Sequence, residues 1–258
     1  MTTTQQQPAL PAVADILGSA AAGCETLDLG AGLTATVIVR PGAVLNLSAQ
    51  ERVYAALIPV TTSSFGADMT PYWAQRSKEG YLERLAEFVL IAGEDGRMVG
   101  WTGFHVLPYD GFTLVYLDST GMVPTRQSGG VMRRLMRDRV TGAAVAACPA
   151  GSPVYLTART ESPIFYRLMR GLLPAPEALH PQPSAAAPGD VVEAARHLAR
   201  WLGQEGILDA PALTVRGAYD ALDALYGELP TTGDAELDKL FRGQLGPLDA
   251  FLLVGRVR

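Results

Sequence analysis

The alternation of hydrophobic and polar positions divides the chain into a series of strands and helices. Thr34 to Val39 is β-branched and closes on Arg40-Pro41, which predicts a first strand. Ser48 followed three residues later by Glu51 has the spacing of a capping box, and predicts a helix with Val53, Ala56, Leu57 and Val60 on its inner face. A second helix is predicted from about Ser77 to Glu87. Phe88 to Ala92 and Met98 to Val106 read as strands joined by the turn signal Asp95-Gly96. Asp110-Gly111 then leads into a third, Phe112 to Val123. From Val131 to Ala147 a helical period returns, with Val131, Met132, Leu135, Met136 and Val140 forming a stripe and Arg133, Arg134 and Arg137 opposite it. Pro153 to Ala158 is a short apolar strand, and Ser162-Pro163 opens a helix with Ser as N-cap and Pro in the first position.

Beyond Leu173 a Pro/Ala-rich connection, PAPEALHPQPSAAAPGD, is too long for a tight loop and reads as surface chain. Asp190 is predicted to cap a helix through about Leu202. Ala212 to Arg216 reads as a strand, Tyr219 to Tyr226 and Ala235 to Phe241 as helical pieces, and Phe251 to Val257 as a last strand. Before Leu33 the chain is Thr/Gln-rich and then Ala/Gly-rich, and both a loose tail and a small packing helix fit it. The expected organisation is therefore a segment 1–33 and one domain over 34–258.

Composition narrows the function classes. The chain has 258 residues, nearly half of them apolar, enough for a sizeable core. It carries 21 basic and 26 acidic residues, for a net charge of −5. Lysine is almost absent, only Lys78 and Lys239, a bias that points to a GC-rich genome rather than to a function. With that balance neither nucleic acid nor an anionic membrane is an expected partner. Cys24 and Cys148 have no metal-like spacing and lie near no histidine, so no metal site is expected and they read as reduced thiols. The start, MTTTQQQPALPAV, has no basic residue ahead of an apolar run, and no window approaches a membrane span. The default location is cytoplasmic.

Chemistry concentrates between Thr113 and Met136, where an apolar strand runs through Pro124 into a glycine pair and directly into a helix. Such a turn presents free backbone N–H groups at the positive end of a helix dipole, suited to a phosphate, and Gly129 and Gly130 allow close approach because neither has a Cβ. The order Val123, Pro124, Gln127, Gly130, Val131, Leu135 resembles the acyl-CoA-binding motif of the GNAT superfamily of N-acyltransferases. One position departs from it: the family usually has a second Gly or Ala two residues after the first, and this chain has Met132.

The resemblance implies an α/β fold with a mixed, mostly antiparallel central sheet, a V-shaped splay between its central strands, helices on both faces, and two closing antiparallel strands. These last are assigned to Ala212–Arg216 and Phe251–Val257, which makes the helical stretch at about 174–247 an insertion relative to that pattern. It implies acetyl-CoA, or another acyl-CoA, as co-substrate without a metal. Its diphosphate is expected on Gln127, Ser128, Gly129, Gly130, Val131 and Met132, its pantetheine beside Met122 and Val123, and Ser162 among the cofactor contacts. Tyr166 corresponds to the family's acid and Asp118 to its strand-borne base. Tyr116, Phe65 and Trp73 are candidates for the acceptor pocket. A core tyrosine at 166 and a hydrogen-bonded strand residue at 118 remain open alternatives, and His105 reads as structural. The implied partner is a small-molecule amine, and the resemblance leaves a homodimer open. No cysteine near the glycine turn offers an acyl-enzyme, so direct attack in a ternary complex is expected. A relative that binds CoA or another ligand without transfer, and an unrelated α/β binding module, are the competing readings.

Overall fold

A computed structural model of the chain describes residues 10–127, 129–220, 222 and 224–258. Two compact units emerge: one runs through Gly103 and takes in Thr120–Gln127, and the other comprises Phe104–Ser119 with the chain beyond Gln127.

In the first unit a short helix α1 (Val13–Leu17) precedes strand β1 (Glu25–Gly30), which pairs antiparallel with β2 (Leu33–Val39) across a turn whose Ala31 and Gly32 both have positive φ, 54° and 69°. β1 has only Leu27 and Leu29 as large apolar residues and is largely exposed, which is why its sequence does not announce a strand. After α2 (Pro41–Val44) comes α3 (Leu47–Phe65). Its N-cap is Asn46, whose side chain accepts from the Ala49 N–H at 2.9 Å. Ser48 is thus not the cap: it lies inside the first turn, and its hydroxyl accepts from Arg52 Nη1. The helix expected from Ser77 to Glu87 is two helices, α4 (Thr70–Lys78) and α5 (Tyr81–Arg84), divided at Gly80 with φ 65°. Glu87 already begins β3 (Glu87–Ala92), which pairs antiparallel with β2. β4 (Met98–Tyr109) and β5 (Phe112–Met122) pass from one unit to the other along their own length.

The second unit opens with α6 (Val131–Met136), which widens into π-type turns over Arg137–Ala144. β6 (Val154–Thr160) lies parallel to β5, with Thr113–Leu117 against Val154–Ala158, and antiparallel to β10 (Ala250–Arg256) along its whole length. Between β6 and β10 lie α7 (Pro163–Arg170), β7 (Leu179–His180), α8 (Gly189–Trp201), β8 (Leu208–Asp209), β9 (Thr214–Val215) and α9 (Ala235–Gln244). The strands hydrogen-bond in the order β1-β2-β3-β4-β5-β6-β10-β9-β8, with β7 also on β10. The result is a mixed α/β fold whose sheet is mostly antiparallel and flanked by helices.

Several local expectations in the second unit need correction. Asp190 does not cap α8; Pro188 stands at that position, and Asp190 accepts a hydrogen bond from the Tyr155 hydroxyl at 2.7 Å. The strand expected over Ala212–Arg216 shrinks to Thr214–Val215, although it does pair antiparallel with β10. The described residues of Tyr219–Tyr226 form turns rather than a helix, because Asp249 and the backbone of Leu248 supply partners there: Gly217 N–H donates to the Asp249 carboxylate and Tyr219 N–H to the Leu248 carbonyl.

Candidate functional site

In the second unit the parallel ladder between β5 and β6 ends at Leu117 and Ala158. β6 carries on to Thr160 while remaining paired with β10, Leu252 opposite Arg159 and Phe251 opposite Thr160. Just past the end of that ladder Ser119, in β5, adopts φ 61°, a left-handed conformation uncommon for a residue with a Cβ.

Asp118 stands where the ladder stops. It is 3% exposed, and a carboxylate oxygen lies 3.0 Å from Nε2 of His105, itself 1% exposed. An uncompensated buried carboxylate is costly, so this contact accounts for its presence in the strand. Tyr116 stacks on the imidazole at 5.8 Å between ring centres, and the indole of Trp201, at the end of α8, meets the imidazole edge-on at 4.7 Å. Tyr116 and Asp118 are thus brought together, and they share a histidine to which the sequence pattern alone assigns only a structural part.

At the opening of α6, Gly130 holds φ 67° and no side chain caps the helix. A Cβ added at Gly130 would meet nothing nearer than Arg133 Nη2 and Arg134 Nη1, each 3.9 Å away. Arg134 Nη1 also donates to the Gly129 carbonyl at 3.3 Å. The turn is therefore flanked by two exposed guanidinium groups, an arrangement that adds to the positive end of the helix dipole. Val131 is buried and Met132 half-buried. Ser128 lies outside the described residues.

Five further candidates, Met122, Val123, Gln127, Phe65 and Trp73, belong to the first unit. Met122 and Val123 are buried, and their backbone is already employed: Val123 N–H donates to the Val99 carbonyl at 2.8 Å, and the Met122 carbonyl accepts from the Gln127 side-chain amide at 2.8 Å. Also in that unit, Phe65 is half-buried with its ring 6.0 Å from Trp101. Trp73 is 1% exposed, enclosed by Tyr54, Tyr72 and Tyr81, with its indole N–H donating to Thr61 Oγ1 at 2.9 Å. It stands in the core of the first unit.

Ser162 caps α7 by accepting from the Phe165 N–H at 3.3 Å, and its own N–H donates to Thr160 Oγ1. Tyr166, on the same helix, is 4% exposed; its hydroxyl donates to the Pro181 carbonyl at 3.0 Å and its ring meets Phe241 edge-on. Burial raises the phenol above its usual value, against a smaller opposing effect of Arg170. Among the described residues no group of three or more His, Cys, Asp or Glu could hold a metal ion, and no helix is long and apolar enough to cross a membrane.

No family model matches the chain, and no curated protein matches it. Solved structures do, and many are acetyltransferases. A GNAT family N-acetyltransferase from Escherichia coli in complex with CoA is 12% identical, with 52% of this chain and 67% of that chain covered at a TM-score of 0.35. A GNAT family acetyltransferase from Brucella melitensis in complex with acetyl-CoA is 18% identical, covering 47% and 74% at 0.32. Naa50 from Arabidopsis thaliana, in complex with a bisubstrate analogue, is 9% identical and covers 85% of this chain and 97% of its own at 0.40.

Proposed function

We propose that the chain is an acyl-CoA-dependent N-acyltransferase, with acetyl-CoA the first donor to test, acting on a small-molecule amine by direct attack. One observation carries the reading: the parallel β5/β6 ladder stops beside a buried carboxylate–imidazole pair. Supporting it, the same unit holds an uncapped helix start flanked by arginines. Gly129, Gly130, Val131 and Met132 would offer their N–H groups to the diphosphate, with Arg133 and Arg134 adding charge, and the space above Gly130 leaves room for it. Bound acyl-CoA would supply the thioester carbonyl and the leaving thiolate.

The chain's own groups supply the proton transfers. Asp118, held beside the His105 imidazole, takes the proton that the attacking amine loses. Tyr166 returns one to the departing sulfur, and its raised pKa keeps it protonated at neutral pH. For that, its hydroxyl has to leave the Pro181 carbonyl.

That same hydrogen bond favours a second reading, in which the protein binds CoA without transferring an acyl group. Calorimetric titration with CoA and acetyl-CoA, followed by thiol release with a panel of amines, separates the two. Binding with turnover supports the transferase and binding alone supports the second reading. No binding at all overturns both. Gly130→Val, which forces a β-branched side chain into a left-handed conformation beside the guanidiniums, is expected to weaken CoA binding by about tenfold or more.

A further inference from the structure

The C-terminal part of the second unit carries an open pocket of about 380 Å³ that none of the chemistry above uses. Its wall is mainly apolar: Leu225, Leu229, Phe241, Leu245 and Leu248 line it. Glu161, the first residue beyond β6 and the neighbour of the α7 cap Ser162, also lines it. Among the described residues no hydrogen bond or ion pair reaches this carboxyl. Burial alone pushes it up to about 7 from an ordinary 4.5. The other charged side chain in the wall, Arg242, interacts with the Asp238 carboxylate one turn earlier on α9. Glu161 is half-buried, and a carboxylate kept beside leucine side chains without a cation lacks the partner that partly desolvated charges usually have.

We infer that this cavity is a binding site for an amine with an apolar body, whose ammonium group pairs with Glu161 while its hydrocarbon part lies against Leu225, Leu229 and Phe241. The apolar wall sets the ligand's body, and the lone carboxyl sets the sign of its head group. An amine held there is of the class that an acyltransferase accepts, but the binding stands whether or not transfer occurs.

The test titrates the full chain with n-hexylamine, n-hexanol and hexanoate, following chemical shifts of cavity methyl groups. Small ligands of this size bind weakly, so comparison matters more than absolute affinity. At pH 8 hexylamine is expected to bind at least about tenfold tighter than hexanol, and hexanoate weakest of all. Hexylamine stays protonated throughout, so its affinity should fall about tenfold from pH 8 to pH 6 as Glu161 takes up a proton, while hexanol is unaffected. Glu161→Gln should reduce hexylamine to the level of hexanol and leave hexanol unchanged. Equal affinities of amine and alcohol in the unaltered chain, an amine affinity flat between pH 6 and pH 8, or full amine binding in the variant would each overturn the assignment. So would shifts from none of the three probes. The pH series uses the unaltered protein, so the assignment can be overturned even where the variant does not fold.

Discussion

Asp118 and His105 show how far single residues decide this molecule's chemistry. The carboxylate is tolerated at 3% exposure because an imidazole nitrogen lies 3.0 Å away. Asp118→Asn replaces a charge-assisted hydrogen bond by a neutral one, and is expected to cost about 1–3 kcal/mol in urea unfolding. If the pair is the base, thiol release should also drop by about 100-fold or more with CoA affinity unchanged. Equal turnover in the variant would leave Asp118 a structural residue. Glu161 makes the opposite case, a carboxyl without a partner. Unfolded, it titrates near 4.5; folded, near 7. Between those values the folded chain holds a proton that the unfolded chain has released, so this group's effect on stability is to lower it as pH rises through that window and to leave it level above. Glu161→Gln is therefore expected to be more stable than the unaltered chain at pH 8 and to lose that advantage towards pH 4.5, as read from urea midpoints. Asp118 and Tyr116 are visible from strand alternation alone. The place of His105 is legible too, since it stands five residues before the Asp110-Gly111 turn and Tyr116 stands five after it, which sets the two rings opposite each other in a hairpin. Glu161 gives no signal, because its surroundings come from residues more than sixty positions away.

Elements follow the same division between local and distant causes. The strands at Phe88–Ala92, Met98–Val106 and Phe112–Val123 are readable because their apolar runs are bounded by Asp-Gly turns, and each turn Gly, Gly96 and Gly111, has positive φ, 74° and 85°. The cap of α3 stands ahead of the Ser48 that the capping-box spacing selects, since both Asn46 and Ser48 are good caps and only the backbone geometry chooses between them. The two can be told apart by stability. Asn46→Ala should cost about 1 kcal/mol and Asn46→Asp little, whereas Ser48→Ala loses only an exposed contact with Arg52 and should stay within about 0.5 kcal/mol. A Ser48→Ala cost as large as that of Asn46→Ala would return the cap to Ser48. The described residues of the helix expected over Tyr219–Tyr226 are not helical, for a nonlocal reason. Asp249, far along the chain, accepts hydrogen bonds from Gly217 and Gly246 N–H groups and from Arg216, and holds that stretch in turns. Propensity cannot anticipate a partner that arrives from so far along the chain.

For the whole molecule, the informative fact is where the chain crosses between its two compact units. The crossings fall inside β4, between Gly103 and Phe104, inside β5, between Ser119 and Thr120, and after Gln127. Two of the three therefore lie within strands rather than in linkers, and domains that behave independently are usually joined by exposed linkers. If the second unit melts alone, β6 gives up Thr113–Leu117, and those residues belong to the same strand that continues as Thr120–Met122 in the first. Fraying one end of a strand loosens the pairing of the other. Despite its length, which favours intermediates, the chain is expected to unfold in one calorimetric transition whose van't Hoff and calorimetric enthalpies agree. A fragment starting at residue 128 tests the same point from the other side: it leaves the hydrogen-bonding edge of β6 without its parallel neighbour, and it is expected to lack cooperative unfolding and the sharp methyl signals of a packed core. Two separate endotherms, or a fragment that folds by itself, would show that the shared strands do not couple the units. The same calorimetry with CoA present carries the coupling into function, because a ligand held by Gly129 to Arg134 in one unit should then raise the midpoint of the single transition rather than of half the molecule.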